Sequence, residues 1–377
     1  MFEIWFWQRI ISPHMADLAV ALARRGSKVT YVVQRTMSED RAQQGWLVPS
    51  LSGVKLLLAE NKEEIERLAQ MASSDSIHIC QGVRANGLIG AAQLALEARG
   101  LRQWVVMETV NDAGWRGVLK RAEYGRILRS RIKSLQGTLA TGHRTVEWLA
   151  ARGMPVNKIY PFAYFLPDVK TSAARSQREA GLFRFVFVGR LIPLKRVDWL
   201  INALATLTEQ SFELWIVGTG PDEPALQALA ASKLGNRVRW FGQLLMPDVP
   251  AVMEQADCLV LPSVHDGWGA VAAEALMVGT PVVCSDACGV AGAVRASGTG
   301  GVFPVNDRAL LRQLLADQLA HGSVSGPARS HLADWAIALG AAAGAVYLEN
   351  ILLSAVAGHD VHPDAPWLKE ARVCLSR

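Results

Sequence analysis

The chain has 377 residues, half of them hydrophobic and 19% charged, with a formal net charge of +5. That length suits two domains with sizeable cores, and the low charge excludes a disordered chain. The five cysteines at 80, 258, 284, 288 and 374 are odd in number and scattered, which excludes a disulfide framework. Cys284 and Cys288 have no second pair at metal-ligand spacing, so the cysteines read as small buried hydrophobes of a reduced compartment.

In chain order, the first half alternates strand and helix. Glu3–Trp7 reads as a buried strand, not a secretory leader, because no basic segment precedes it and polar Gln8-Arg9 follows. A helix over Met15–Arg25 and a strand over Lys28–Val33 come next. A weak strand at Val54–Leu58 and an acidic helix near Lys62–Met71 follow. Ser76–Cys80 is a strand, Asn86–Arg99 a helix and Trp104–Glu108 a strand. Leu119–Leu135 is a long basic helix with an apolar stripe of Leu119, Ala122, Ile127, Leu128, Ile132 and Leu135. Gly137–Ala140 is a short strand and Thr145–Arg152 a helix. This rhythm predicts a parallel sheet with helices on both faces. Pro167 to Gly181 is polar and free of strand pattern, and supplies a linker at 169–182.

The second half resumes the alternation at Phe183. Near the end, Ala336 to Gly358 is alanine-rich and apolar apart from Glu349 and Asn350. A central carboxylate and weakly inserting alanines make it a packed helix, not a membrane span. The charge is uneven. Residues 1–168 carry 22 Lys and Arg against 15 Asp and Glu, whereas the remainder is slightly acidic. The basic half points to an anionic partner such as phospholipid or a lipid diphosphate. No nucleic-acid motif accompanies it, so nucleic acid is not an expected partner. A basic amphipathic helix in residues 116–135 suits an anionic bilayer surface, and equally a half-buried helix with a solvated basic face.

Three strand ends in the second half carry the chemistry. Asp257–Ser263 reads as a buried strand, followed by Asp266-Gly267-Trp268-Gly269 and an apolar helical run containing Glu274. A strand, glycine loop and helix aim backbone N–H groups at an anion, usually a phosphate. Glu274, about two turns in, can bond hydroxyls on the ligand carrying it. Phe185–Val188 is a strand breaking at Gly189, with Arg190 and Lys195 in the loop before a helix at Val197. Two cations there suit a diphosphate. Phe212–Val217 is a strand ending in Gly218-Thr219-Gly220-Pro221. In a parallel sheet all three ends line one ligand crevice.

Together with Val238-Arg239-Trp240-Phe241-Gly242, Leu261-Pro262-Ser263 and Gly279-Thr280-Pro281, these segments resemble the family 4 retaining glycosyltransferases of the GT-B fold. The match is specific over roughly 183–305 and loose over 1–168. It implies two Rossmann-like α/β domains facing a central crevice, with a C-terminal helix crossing back. The boundaries are an acceptor-binding domain at 1–168, a donor-binding domain at 183–345 and a helical segment at 346–377. It implies transfer of a sugar from a nucleotide diphosphate sugar (uridine or guanosine) to a hydroxyl of a saccharide or lipid-linked acceptor, in bacterial polysaccharide or glycolipid synthesis. The expected place is the cytoplasm, or the inner face of the membrane. Arg190, Lys195, Asp266 and Glu274 would be catalytic, with Gly189, Gly218, Gly220, Gly242, Gly267, Trp268 and Gly269 around the donor. On the acceptor side it implies His14, His78, Arg84, Asn86 and Glu108. No Asp-x-Asp occurs, so no metal and no other cofactor is expected.

The sequence departs from the family at three places. Asp266 and Trp268 stand where Glu and Phe are usual, Cys80 where a histidine is common, and no Gly-Gly turn follows the first strand. Two alternatives stay open: a catalytically silent nucleotide-sugar-binding partner subunit, and a GT-B-like sugar-nucleotide epimerase.

Overall fold

The computed structural model describes residues 1–43, 45–84, 87–167, 182–207, 209–358 and 362–370. The chain divides into two compact units. The first comprises Met1–Gln43, Leu47–Pro167 and Gly340–Pro366; the second comprises Gln44–Trp46, Asp168–Leu339 and Trp367–Arg377. The predicted linker lies outside the described residues except for Leu182.

The first unit is built on β1 (Glu3–Gln8), β2 (Lys28–Val33), β3 (Lys55–Leu58), β4 (Ile77–Gln81), β5 (Arg102–Glu108), β6 (Leu135–Thr141) and β7 (Ile159–Phe162). They pair in parallel in the order β3-β2-β1-β4-β5-β6-β7. β1 and β4 are central and covered on both faces, which explains why β1 is apolar on both sides, Ile-Trp-Phe-Trp, without alternation. β7 was not legible because Pro161 interrupts its short apolar run. An edge strand tolerates proline, which lacks only a ladder donor.

The alanine-rich C-terminal segment forms the helix Ala341–Ala357. It packs on the helix Pro13–Arg24 of the same unit, and Arg25 reaches the Glu349 carboxylate at 2.8 Å. Its carboxylate is therefore paired, and its apolar face is spent on packing. No helix among the described residues is long and apolar enough to cross a membrane.

The basic helix runs over Gly114–Arg131, not Leu119–Leu135. It starts earlier because Gly117 lets its first turn sit against the Asp112 carbonyl, where a Cβ would come within 1.6 Å of the oxygen. It stops at Arg131 because Leu135 opens β6 and is fully buried there. Of the predicted apolar stripe, Leu128 and Leu135 are buried and Ile127 and Ile132 pack against the core, but Leu119 and Ala122 face solvent. Gly117, Tyr124, Gly125 and Leu128 are the buried face, whereas Leu119 is 65% exposed beside Trp115 and Val118.

The second unit holds β8 (Phe183–Val188), β9 (Phe212–Val217), β10 (Val238–Gly242), β11 (Cys258–Leu261), β12 (Val282–Ser285) and β13 (Gly301–Phe303). These too are parallel, in the order β10-β9-β8-β11-β12-β13. The order reverses between β8 and β11, and in open α/β sheets such a reversal is where ligands commonly bind, at the carboxyl ends of the strands. Both strands are almost wholly apolar, as doubly covered strands must be. The two α/β domains expected from the sequence are thus present, with the C-terminal helix on the first.

Candidate active site

The loops at the carboxyl ends of β8, β9 and β10 are stitched together by their backbones. Gly189 N–H donates to the Val217 carbonyl at 3.0 Å, Leu191 N–H to Thr219 at 2.9 Å, and Gly218 N–H to Gly242 at 2.7 Å. This closeness is why Gly218 must lack a side chain. Its φ is +125°, and a Cβ would lie 2.0 Å from the Gly189 carbonyl oxygen. Gly220 is similarly tight against Leu191. The predicted glycines 189, 218, 220 and 242 therefore form one layer of backbone.

Lys195 ends a short 3-10 turn, Pro193–Lys195, after β8. Its ammonium meets the Asp266 carboxylate at 2.5 Å, with the two side chains 21% and 17% exposed. Val264 N–H donates to the Leu194 carbonyl at 2.9 Å, so the loops after β8 and β11 are also joined by backbone. Arg190 stands exposed in the same loop. Arg196 follows Lys195 with φ +51°, the one non-glycine residue at positive φ among the described residues. Its guanidinium pairs with Asp198 at 2.8 Å and lies over the Trp199 ring. These contacts hold a turn that strains a side-chain-bearing residue. No sequence pattern announces that role.

The helix Ala270–Met277 is N-capped by Gly269, in the left-handed region at φ +89°, with no side-chain cap. Asp266 is thus not spent on capping, and its carboxylate is directed to Lys195. Ala272 N–H bonds the Gly269 carbonyl at 2.9 Å, and the N–H groups that precede it at a helix start are the ones an anion can use. Glu274 lies little more than one turn in, not two. It is half-buried, and loss of solvent pushes its carboxyl up to about 7.

The loop 286–290 supports this arrangement and was not singled out by sequence. Asp266 N–H donates to Ala287 at 3.1 Å, Gly289 N–H to Asp266 at 3.0 Å, and Val290 N–H to Trp268 at 2.7 Å. A Cβ on Gly289 would lie 2.0 Å from the Gly267 carbonyl oxygen. The Cys288-Gly289 pair beside a strand was the available signal. Cys258, Cys284 and Cys288 are buried free thiols. Trp268 is 2% exposed and edge-on to Trp367 at 6.5 Å, so its ring faces the interior. The Ser263 hydroxyl, at the end of β11, is buried with no hydrogen-bond partner.

The acceptor-side candidates in the first unit are only partly brought together. His14 lies in the first turn of Pro13–Arg24, and its ring stacks on Tyr164 with centroids 5.1 Å apart. The Tyr164 hydroxyl donates to the Glu108 carboxylate, and burial followed by that charge pushes the phenol well up. Tyr164, absent from the sequence reading, therefore links His14 to Glu108. It sits in a loop after the unpredicted β7. His78 stands apart from them. It is fully buried, accepts from Trp7 Nε1 at 3.1 Å and meets the Ser76 hydroxyl at 2.9 Å. Burial holds its ring down to about 3, hence neutral. Arg84 is exposed and paired with Glu123 at 3.0 Å. Asn86 lies outside the described residues. Cys80 is wholly buried, and burial pushes its thiol up to about 12.

Residues 183–320 match the family model described as Glycosyl transferases group 1. Over 184 residues the chain is 33% identical to the D-inositol 3-phosphate glycosyltransferase of Salinispora arenicola, covering 44% of this chain and 41% of that protein. The chain thus spans less than half the length of that relative. Among solved structures, it is similar to the lipopolysaccharide outer core galactosyltransferase WaaB in its apo form, with TM-score 0.70 and 17% identity over 95% of this chain and 99% of that one. Anabaena Alr3699/HepE in complex with UDP gives TM-score 0.70 and 16% identity, over 94% and 100%. At such identities these two likenesses speak to the fold.

Proposed function

We propose that the protein is a retaining glycosyltransferase that moves a sugar from a nucleoside diphosphate sugar to a hydroxyl acceptor without a metal ion. The observation that carries this reading is the convergence, at the strand reversal of the second unit, of Lys195, Asp266 and the Gly269-capped helix. That site falls within the residues matched to Glycosyl transferases group 1. The UDP complex of a similarly folded protein supports a uridine nucleotide as the first donor to try.

The chemistry follows from charge. As the bond from sugar to diphosphate breaks, negative charge grows on the leaving oxygens. Lys195, Arg190 and the helix N–H groups after Gly269 stabilise it without reorganising. Asp266 and Glu274 are acceptors for hydroxyls, on the sugar and the ribose respectively. Two protein cations take the place a divalent ion would fill, so activity should persist in excess chelator. His14, Tyr164 and Glu108, which cluster within the first unit, are the candidate acceptor contacts. Bacterial polysaccharide or glycolipid assembly is the proposed setting.

A thermal-shift screen over uridine and guanosine diphosphate sugars tests the reading. A true donor at 100 times its Kd stabilises the fold by about 2.7 kcal/mol through mass action. Absence of any shift across both series would remove the nucleotide site.

A further inference from the structure

Asp266 has a relation to Lys195 that a sugar-binding role alone does not explain. Its carboxylate rests on the Lys195 ammonium at 2.5 Å, both side chains being largely shielded from water. The pair is not what holds the loops. Asp266 is fixed through its own backbone to Ala287 and Gly289, and the β8 and β11 loops are joined through Val264 and Leu194. The helix cap is Gly269. The carboxylate is therefore free of any structural duty these bonds do not already perform, and it occupies the cation that a diphosphate needs.

Resting on the donor site proposed above, we propose that Asp266 is a resident counter-ion that competes with the diphosphate for Lys195, so that the pair favours release of the nucleoside diphosphate product. An ammonium has three N–H donors. An arriving diphosphate either displaces the carboxylate from them or shares them against like-charge repulsion. While the sugar is attached, its hydroxyls give Asp266 new donors and offset that loss. Once the sugar has moved to the acceptor, Asp266 has no such partner and reclaims Lys195. The carboxylate thus penalises bare nucleoside diphosphate more than it penalises the sugar-bearing donor. The carboxylate, carried on a backbone pinned by these bonds, keeps the competing charge at the lysine.

Calorimetric titration with uridine diphosphate and guanosine diphosphate, and with the corresponding sugar nucleotides, provides the test. Asp266→Asn should bind the preferred nucleoside diphosphate about tenfold more tightly than the wild type, or ~1.4 kcal/mol. Its gain for the sugar nucleotide should be smaller, so discrimination between the two falls. Asp266→Ala, which removes the charge without an amide, should tighten the bare diphosphate likewise. Asp266→Glu, which keeps the charge, should stay near wild type. Unchanged or weaker diphosphate binding in both neutral variants would overturn the competition, as would equal tightening in Asp266→Glu. Failure of both nucleotides to bind the wild type would instead overturn the donor site itself.

Discussion

At the scale of single residues, Glu274 ties stability to pH. Its carboxyl is raised from the ordinary 4.5 to about 7 by burial. The folded chain thus holds this proton over a range where the unfolded chain has lost it. Stability contributed by the neutral form is present below 4.5 and declines as pH rises through about 7. Glu274→Gln should therefore be more stable than wild type at pH 8, with the difference shrinking towards pH 4. It should also weaken nucleotide binding by about tenfold, since a charged acceptor of ribose hydroxyls is lost. Denaturant melts across that pH range, with calorimetry at pH 8, check both signs. A variant less stable at pH 8 than wild type would show that the carboxylate is well solvated.

Gly218 makes the complementary case, where fold and site cannot be separated. A methyl there meets the Gly189 carbonyl oxygen at 2.0 Å, on a backbone already at φ +125°. Gly218→Ala should cost about 1–3 kcal/mol from overpacking alone, with a further loss from the strained φ. Chemical denaturation reads it. A variant of wild-type stability would mean that the two loops part easily.

Much of the local layout around Gly189, Lys195 and Asp266 was legible at residue scale because its signals are local. A strand that stops at a glycine, two cations and a helix can be read from consecutive letters. Tyr164 was not, because its link between His14 and Glu108 exists only after β7 and the start of the first helix have met in space. The His78 position was misleading for a related reason. The resemblance placed it on the acceptor side, but β4 is central and both its faces are interior.

At the scale of elements, the helix Gly114–Arg131 differs most from its sequence pattern. Several of its cations bond neighbouring groups: Lys120 donates to the Asn111 carbonyl at 2.9 Å, Arg121 to the Asp112 carbonyl at 2.8 Å, and Arg131 to the Gln93 side chain at 2.7 Å. Arg152 also pairs with Asp112 and stacks on Trp148, which fixes the loop leading into the helix. What remains outward is an apolar group at helical spacing, Trp115, Val118 and Leu119, exposed by 71%, 56% and 65%, beside Arg116 and Arg126. Exposed tryptophan and leucine with flanking arginines suit the headgroup region of an anionic bilayer. Of the two readings the sequence left open, a bilayer contact or a half-buried helix with a solvated basic face, we propose the first, with this apolar face as the contact. Trp115→Ser with Leu119→Ser should release the protein from anionic vesicles in sedimentation while nucleotide affinity stays unchanged. Equal sedimentation of variant and wild type would assign the membrane contact elsewhere.

At the scale of the whole molecule, the alternation of strand and helix made two doubly wound sheets legible, because parallel strands need helical crossovers between them. The sites of reversal, between β1 and β4 and between β8 and β11, were not legible, since order within a sheet depends on non-local pairing. That order matters for function, because it determines which loops converge. The Ala341–Ala357 helix, the last long helix among the described residues, belongs with the first unit although most of the second unit precedes it in sequence. Removing Glu349 by Glu349→Ala should cost less than about 1 kcal/mol, as for other half-exposed ion pairs, because the helix is held by its apolar face.

The most direct test of the proposed activity is release of nucleoside diphosphate from a panel of sugar nucleotides in excess EDTA, followed for wild type and Lys195→Ala. Even without acceptor, slow hydrolysis of the true donor reports stabilisation of the departing diphosphate. The predicted result is release from at least one donor that chelator does not diminish, with a loss of about 100-fold or more in Lys195→Ala, corresponding to one preorganised charge donor. Release that collapses in EDTA and returns with a divalent cation, or that proceeds equally well in Lys195→Ala, would contradict it.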